Sequence, residues 1–436
     1  MQSVSTKCPH CAFPVELPIQ FAGHKRPCPR CRKEIQIPGL HQATFPQVAS
    51  TAASAKPAVA KSAWVPATKS STPVWMRHLH WLLALALLPL VFSMFFRESS
   101  EQFRERFARS LERVREQQAA ASNDAATANN PEEMDDGAFF RMLPDHKIEG
   151  AFMSRDTKLH WLFALLSVAF FLTFLCLLAS DKSANPLTLI GLGLFTATGG
   201  IVLLLMLQSI ASSLPLSRIR GRGVIGVVLL VLALIGASYS MASHPDSGFL
   251  SSFFGFTAGV GFCEEVCKAI PLLIYYREPN KQTWRGAFLW GLASGVGFGV
   301  AEGIMYSQDM YNGVSGPTTY LVRFLSCVAL HALWSGSVGI SIHQRQVYWQ
   351  TEVDDESYAL MVGQVLFTIA TLVGIPMILH GLYDTLLKKD MEFGALAVAA
   401  ASFGYLAWQI SCLRTDDDKE ERGKRVSNYL RQQGAM

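Results

Sequence analysis

Residues 249–276 read "FLSSFFGFTAGVGFCEEVCKAIPLLIYY". The stretch has the length of a membrane-crossing helix, which needs about 20 apolar residues rising 1.5 Å each. Its second half nevertheless carries Glu264, Glu265 and Lys268. An ionisable side chain at the centre of a bilayer costs at least about 2.5–3.5 kcal/mol, so each one is a functional candidate by default. Cys263 and Cys267 flank the acidic pair. Small thiols are common in apolar helices and inert there, and these two read as packing.

The same apolar length recurs on both sides, at 159–179, 186–207, 223–241, 285–306, 320–342, 360–386 and 393–412. A weaker run at 80–96, "HWLLALALLPLVFSMFF", is interrupted by Pro89, yet its "LHWLLAL" at 79–85 echoes "LHWLFAL" at 159–165. Half of the 436 residues are apolar and only 17% are charged, against about a quarter charged in a soluble protein. No run alternates polar and apolar with period two, which excludes lipid-facing strands. The expected fold is all-α: a polytopic membrane bundle of eight or nine transmembrane helices, plus a small N-terminal zinc ribbon. The first 35 residues are polar and cysteine-bearing, so no cleavable signal peptide is expected there.

The ribbon is read from "CPHC" at 8–11 and "CPRC" at 28–31. Two CxxC knuckles at this spacing bring four thiolates, Cys8, Cys11, Cys28 and Cys31, onto one structural Zn2+. A forty-residue head cannot bury an adequate core, so the metal would supply its folding energy. A pair of disulfides is the alternative use of the four cysteines. Residues 42–74, rich in Ala, Ser, Thr and Pro, read as a flexible linker. In 97–117, Phe103, Phe107, Leu111 and Val114 follow at helical spacing among six arginines and five glutamates. That pattern is an amphipathic helix, solvated or lying on the membrane surface, with a short coiled coil as the rival. Residues 118–137 are expected to be disordered.

A net charge of +4 is too small to argue for a nucleic-acid partner, and the basic residues report topology instead. Arg218, Arg220 and Arg222, then Arg277, Lys281 and Arg285, then Arg345 and the tail alternate with loops 242–248 and 307–319, which hold no Lys or Arg. With eight spans from 159 onward the basic loops, the C-terminus and the arginine-rich 97–117 all fall inside, Lys388 and Lys389 being exceptions. A further span at 80–96 would put the ribbon outside, whereas a reduced thiolate site suits the cytoplasm.

Ionisable residues concentrate in four consecutive spans. Lys268 lies one helical turn from both Glu264 and Glu265, so it can neutralise one carboxylate and leave the other available. Glu302 ends "FGVAE" at 298–302, His331 sits in "CVALHALW", and "HGLYD" places His380 and Asp384 at i,i+4 on one face. Rise per residue puts all four groups in the membrane interior, with depths that scatter by about 10 Å. Arg323, near a span end, reads as a residue that snorkels to the interface. Carboxylates and imidazoles in a dry cavity suit activation of water for amide hydrolysis. The same groups are good zinc ligands, so a catalytic metal is left open. Structural ion pairing accounts for one such group more readily than for four matched ones.

In order along successive spans, "EEVCK" fits EExxK, "FGVAE" fits FxxxE, His331 fits a third-helix histidine and "HGLYD" fits HxxxD. Over about 249–390, roughly a third of the chain, this resembles the PrsW family of intramembrane proteases, relatives of the CAAX prenyl endopeptidases and bacteriocin-processing enzymes. In that wider superfamily the first motif usually ends in arginine and the second in histidine. Lys268 and Glu302 stand there instead, which points to the PrsW branch. The resemblance implies a peptidase acting on a membrane-anchored protein substrate, the best-known relative cutting an anti-sigma factor. It implies Glu264 and Glu265 as water-activating acids, Glu302, His331 and His380 completing the site, and Lys268 and Asp384 in support.

The domain reading that follows is a ribbon at 1–40, a linker at 41–78, and a possible span, amphipathic helix and loop at 79–158. The transmembrane domain covers 159–412, with the protease core at about 249–390, and 413–436 form a polar tail. The expected location is a bacterial inner membrane with the C-terminus cytoplasmic. Two other classes compete: a proton- or cation-coupled transporter, which inverted repeats would favour, and a non-catalytic scaffold of the same fold.

Overall fold

The computed structural model describes residues 3–10, 14–18, 24–27, 33–36, 85–95, 98, 100–121, 135–179, 184–214, 223–275, 283–345 and 358–432. The chain divides into two compact units, 1–70 and 71–436. In the first, β1 (Ser3–Lys7) pairs antiparallel with β2 (Pro14–Pro18), and β3 (Lys25–Pro27) with β4 (Glu34–Gln36). Each CPxC sequence falls between the two strands of one hairpin. Cys8, Val15 and Ile35 are buried, while Cys11, Cys28 and Cys31 lie outside the described residues, as does the linker expected at 41–78.

The second unit is helical. Its elements are α1 (Leu85–Phe95), α2 (Ser100–Ala121), α3 (Asp136–Met142), α4 (Leu159–Leu178), α5 (Pro186–Ser212), α6 (Gly223–Ser243), α7 (249–275), α8 (Trp284–Tyr311), α9 (Pro317–Arg345), α10 (Tyr358–Lys388) and α11 (Glu392–Gln432). Local sequence sets several starts. Asn185 caps α5 by accepting from Leu187 N ahead of Pro186, and Thr283 Oγ1 accepts from Gly286 N at the start of α8, as short polar caps do. Among the described residues, seven helices are long and apolar enough to cross a membrane: α4, α5, α6, α8, α9, the 367–388 part of α10 and the 392–414 part of α11. Helix α7 is as long as these and carries three charged residues, Glu264, Glu265 and Lys268. Helix α1 is a shorter apolar helix. The all-α polytopic bundle is therefore the fold.

One expectation at the margins changes. Helix α2 continues through Ala121 and α3 begins at Asp136, so both ends of the 118–137 segment expected to be disordered are helical. The polar tail is a continuation of α11 as far as Gln432.

Helices α8 and α9 form the centre: 83% of each apolar window is buried, against 22% for α6. Glycines at every fourth position of α8, residues 291, 295 and 299, let α9 approach to backbone contact. A Cβ on Gly295 would lie 2.2 Å from His331 O, and one on Gly291 2.2 Å from Ser335 O. On another side of α8, a Cβ on Gly297 would meet Gly193 O of α5 at 1.9 Å. This is the small-xxx-small packing of membrane helices, where close backbone approach replaces a hydrophobic driving force. It also fixes the heights of Glu302 and His331 relative to one another.

Among the described residues, four helices contain π-helical turns: Thr196–Gly200 in α5, Phe256–Gly261 in α7, Ser307–Tyr311 ending α8, and Val322–Cys327 in α9. Such turns insert one extra residue and shift the phase of everything that follows, often at functional sites. Those in α7 and α9 stand just ahead of Glu264 and His331.

One part of the alternation of ends expected from the basic loops does not hold, the side on which the arginine-rich helix lies. Residues 144–158 pack on loop 312–316 through Ile148 N to Gly313 O (2.9 Å), Gly313 N to Met153 O (2.8 Å) and Phe152 N to Ser315 O (3.0 Å). Arg106 of α2 bonds Glu149 O, and Asn312 bonds His160. The arginine-rich helix and the 307–319 loop, which has no Lys or Arg, thus share one end. Lys388 Nζ, bonded to Ala242 O and His244 O, places loop 242–248 there too. Three helices, α4 to α6, separate residue 158 from residue 242, and three complete crossings would set these at opposite ends. The three therefore cannot all be complete crossings. The arginines misled because they are matched internally, Arg106 with Glu98 and Arg109 and Arg113 with Glu149. Val114 of the expected amphipathic face is buried with Phe139, Phe140 and Ile148.

Gly295→Ala is expected to lower the unfolding free energy in mixed micelles by about 1–3 kcal/mol through overpacking. Gly404→Ala, where a Cβ meets nothing within 4 Å, is expected to be neutral or slightly stabilising in the same denaturation series.

Candidate active site

All seven residues singled out in the sequence converge between α7, α8, α9 and α10. Lys268 Nζ donates to Glu265 Oε1 (2.6 Å) and to His331 Nδ1 (2.9 Å), and lies 3.8 Å from Glu264 Oε2. His331 Nε2 lies 2.6 Å from Glu302 Oε2. Glu265 Oε1 also meets His380 Nδ1 at 3.1 Å. His380 Nε2 faces Asp384 Oδ2 at 3.4 Å and Glu264 Oε2 at 3.7 Å. Glu264, Glu265, Lys268, His331 and His380 are each at most 4% exposed. The result is an unbroken chain of paired charges in an apolar bundle. Buried charges persist only when paired and hydrogen-bonded in this way.

The network assigns the imidazole tautomers. His331 Nδ1 accepts from an ammonium, so Nε2, pressed against Glu302, carries the proton. His380 Nδ1 carries its proton toward Glu265, which leaves Nε2 facing Glu264. Each histidine is thus oriented by a carboxylate behind it and presents its second nitrogen to the centre.

Several residues have roles that the sequence reading did not assign. Arg323 turns inward: its Nη2 lies 2.5 Å from Glu302 Oε1, and its guanidinium stacks over the Tyr306 ring at 4.2 Å. The snorkelling expected of it is therefore overturned, because the π turn at 322–327 faces it into the bundle and Glu302 supplies a buried partner. Trp334 stacks on His380 at 4.3 Å and 19°; its one-turn spacing from His331 was the available signal. Phe298, the first residue of "FGVAE", sits 4.8 Å from Lys268 Nζ as a cation–π partner. Cys263 and Cys267 pack in an apolar cluster with Leu204 and Phe298, as read from the sequence.

A family model described as "PrsW family intramembrane metalloprotease" matches residues 187–410. The chain belongs to this family. It is accordingly an intramembrane peptidase and an integral, multi-pass membrane protein. The match extends well to either side of the 249–390 stretch that carries the motifs, taking in α5 and most of the apolar part of α11. No curated protein and no solved structure matches the chain.

The PrsW description implies a metal, and the residues fit one. Ligand atoms of Glu264, His331 and His380 lie within 4.8 Å of one another. Glu264 Oε2 is buried without a hydrogen-bond partner. Two histidines and a glutamate are a common catalytic zinc set, and carboxylates behind both histidines are the usual outer shell of such a site. One condition applies: the lone pair of His331 Nδ1 is used by Lys268, and a lone pair cannot serve an ammonium and a metal at once. Lys268 is therefore a resident cation that a metal must displace.

Lys268→Met in a chain lacking residues 1–75, and so free of ribbon cysteines, is expected to bind Co2+ about tenfold more tightly than wild type. Visible absorption of the Co2+ complex reads this directly, and unchanged affinity would show that the lysine does not compete.

Proposed function

We propose that this PrsW-family protease hydrolyses a peptide bond of a membrane-anchored protein, with water activated by Glu264. The observation that carries the reading is the bare, buried Oε2 of Glu264, 3.7 Å from His380 Nε2 and held beside a fixed lysine. Both carboxylates keep an unpartnered Oε2, but Glu265 is tied through its other oxygen to both Lys268 and His380, whereas Glu264 Oε2 is the one that faces His380 Nε2. As the water oxygen attacks the carbonyl carbon, Glu264 takes its proton. Glu264 hands that proton to His380 Nε2, which it faces at 3.7 Å, and His380, held by Glu265 and flanked by Asp384, passes it to the leaving nitrogen as the carbon–nitrogen bond breaks, giving a carboxylic acid and an amine. His331 and Glu302 complete the wall, and Lys268 and Phe298 keep it in register. A divalent metal held by Glu264, His331 and His380 would take up these same lone pairs, and would then supply the activation of water in place of the Glu264 base.

The site lies within the helical bundle, which supports a single-span substrate that presents its chain laterally or at the bundle end; an anti-sigma factor is one such substrate by family resemblance. The paired carboxylates and tightly closed histidines favour hydrolysis over a transport path, and every motif position is filled, which favours catalysis over a scaffold. At the periphery, the paired CPxC sequences support a structural zinc at Cys8, Cys11, Cys28 and Cys31. The basic 215–222 and 277–285 loops support a cytoplasmic C-terminus in a bacterial inner membrane, with the 307–316 end outside. The small net charge of +4 argues against a nucleic-acid partner, and the ribbon reads as a protein-binding or purely structural module.

Glu264→Ala is expected to abolish cleavage of a co-expressed single-span reporter, and Glu264→Gln to reduce it by at least about a hundredfold; unchanged cleavage in either would refute the role. Metal analysis of the full chain is expected to find one zinc that Cys8→Ser removes. A reporter fused after Met436 should be active in the cytoplasm.

A further inference from the structure

We infer that the cavity roofed by the start of α2 is the substrate-binding vestibule of the protease, and that Tyr383 is its positioning residue. The inference rests on the protease reading above and assigns where the polypeptide lies. The cavity, of about 1260 Å³, opens at the end of the bundle shared by 144–158 and 312–316. Its lining runs from exposed Arg104 of α2 and half-buried Thr319 of α9 inward to Arg323 and to Cys327 and Tyr383, both buried. That inner end abuts the catalytic chain. Arg323 holds Glu302, which lies against His331, and Tyr383 precedes Asp384 on α10.

The Tyr383 hydroxyl points to a ligand. Tyr383 is 3% exposed, yet its oxygen has no oxygen or nitrogen partner; the neighbouring Cys327 thiol is a weak hydrogen-bonding group. Burial of an unsatisfied hydroxyl is unfavourable and calls for an explanation. A hydroxyl at the inner end of a water-open cavity, one residue from the site, is placed to donate to a backbone carbonyl of an extended peptide. The mixed lining, with Thr318, Thr319, Ser315 and Gln102 beside apolar Leu90 and Val322, suits a polypeptide backbone with alternating side chains. It does not suit a lipid tail. The ligand class is thus an unfolded segment of the substrate where it leaves the membrane at this end, and cleavage falls near that boundary rather than mid-bilayer.

Native Cys327 supplies the test. Single-span reporters are screened in membranes for cleavage that Glu264→Ala abolishes. Single cysteines are then walked along the cleaved reporter, and oxidative crosslinking to Cys327 is read in full-length Glu264→Gln chain. Crosslinks are expected at cysteines within the segment adjoining the membrane on the 307–316 side, absent from mid-span positions, and lost in Thr319→Trp, which fills the outer part of the cavity. Tyr383→Phe, which keeps the ring, is expected to raise KM about fivefold with kcat little changed, the size of one lost hydrogen bond. Thr319→Ser and Tyr383→Phe chains that elute and label at Cys327 like wild type exclude misfolding. Glu264-dependent cleavage without crosslinks, or with crosslinks that survive Thr319→Trp, overturns the vestibule and leaves the protease reading standing. Absence of any Glu264-dependent cleavage overturns the protease reading itself, and this inference with it.

Discussion

The structure depends on a lysine that has no access to water. Lys268 is fully buried, and an ammonium in an apolar bundle is stable only if carboxylates surround it. Two of them, Glu264 and Glu265, come from its own helix, which costs no long-range order. The remaining contacts, with His331 of α9 and the ring of Phe298 of α8, require the neighbouring helices to stand at one height. Once they do, Glu302 must follow His331, Arg323 must follow Glu302, and His380 must follow Glu265. The charges that make the segment 249–276 improbable as a plain membrane span are thus the fasteners that fix four helices to one another.

The backbone makes this possible before any charge is placed. At Gly291, Gly295 and Gly299 the α8 surface has no side chains, and α9 lies against it at contact distances that a single methyl group would violate. Packing of this kind selects one vertical offset, since sliding by a residue would drive a Cβ into a carbonyl. Rigid placement of the acid–base groups within a few tenths of an ångström is what acid–base catalysis needs. Here it comes from glycine contacts outside the polar site, with Ser294 donating to Lys268 O and Thr196 to Ser294 O as further ties.

Much of this was legible in the sequence, for a physical reason. Ionisable residues in hydrocarbon are so costly that they survive only where they act together, so Glu264, Glu265, Lys268, Glu302, His331, His380 and Asp384 could be gathered without knowing how the helices pack. Spacing alone left them scattered in depth, and the π turns at 256–261 and 322–327 were invisible because their residues are ordinary. Arg323 was misassigned because position near a span end is a cue about depth and carries none about direction. The shared end of 144–158 and 312–316 rests mainly on backbone hydrogen bonds, which leave no side-chain signature. Tyr383 was passed over because a tyrosine in an apolar helix is unexceptional until its hydroxyl is found without a partner.

The π turns have one more consequence. Each inserts a residue into a helix whose two ends are anchored, so it turns all that follows by about 100° relative to what precedes it. In α7 the turn lies between the segment packed on α6 and the Glu264–Lys268 segment; in α9 it lies between Tyr320, tied to Asn312, and His331. Anchoring and aiming are thereby separate properties of one helix. A chain shorter by one residue between Gly255 and Glu264 could keep the same anchors and the same motif letters while directing its glutamates at lipid. Loop-free spacing within a helix, more than the motif itself, is therefore the trait that distinguishes a working member of this architecture from a silent one.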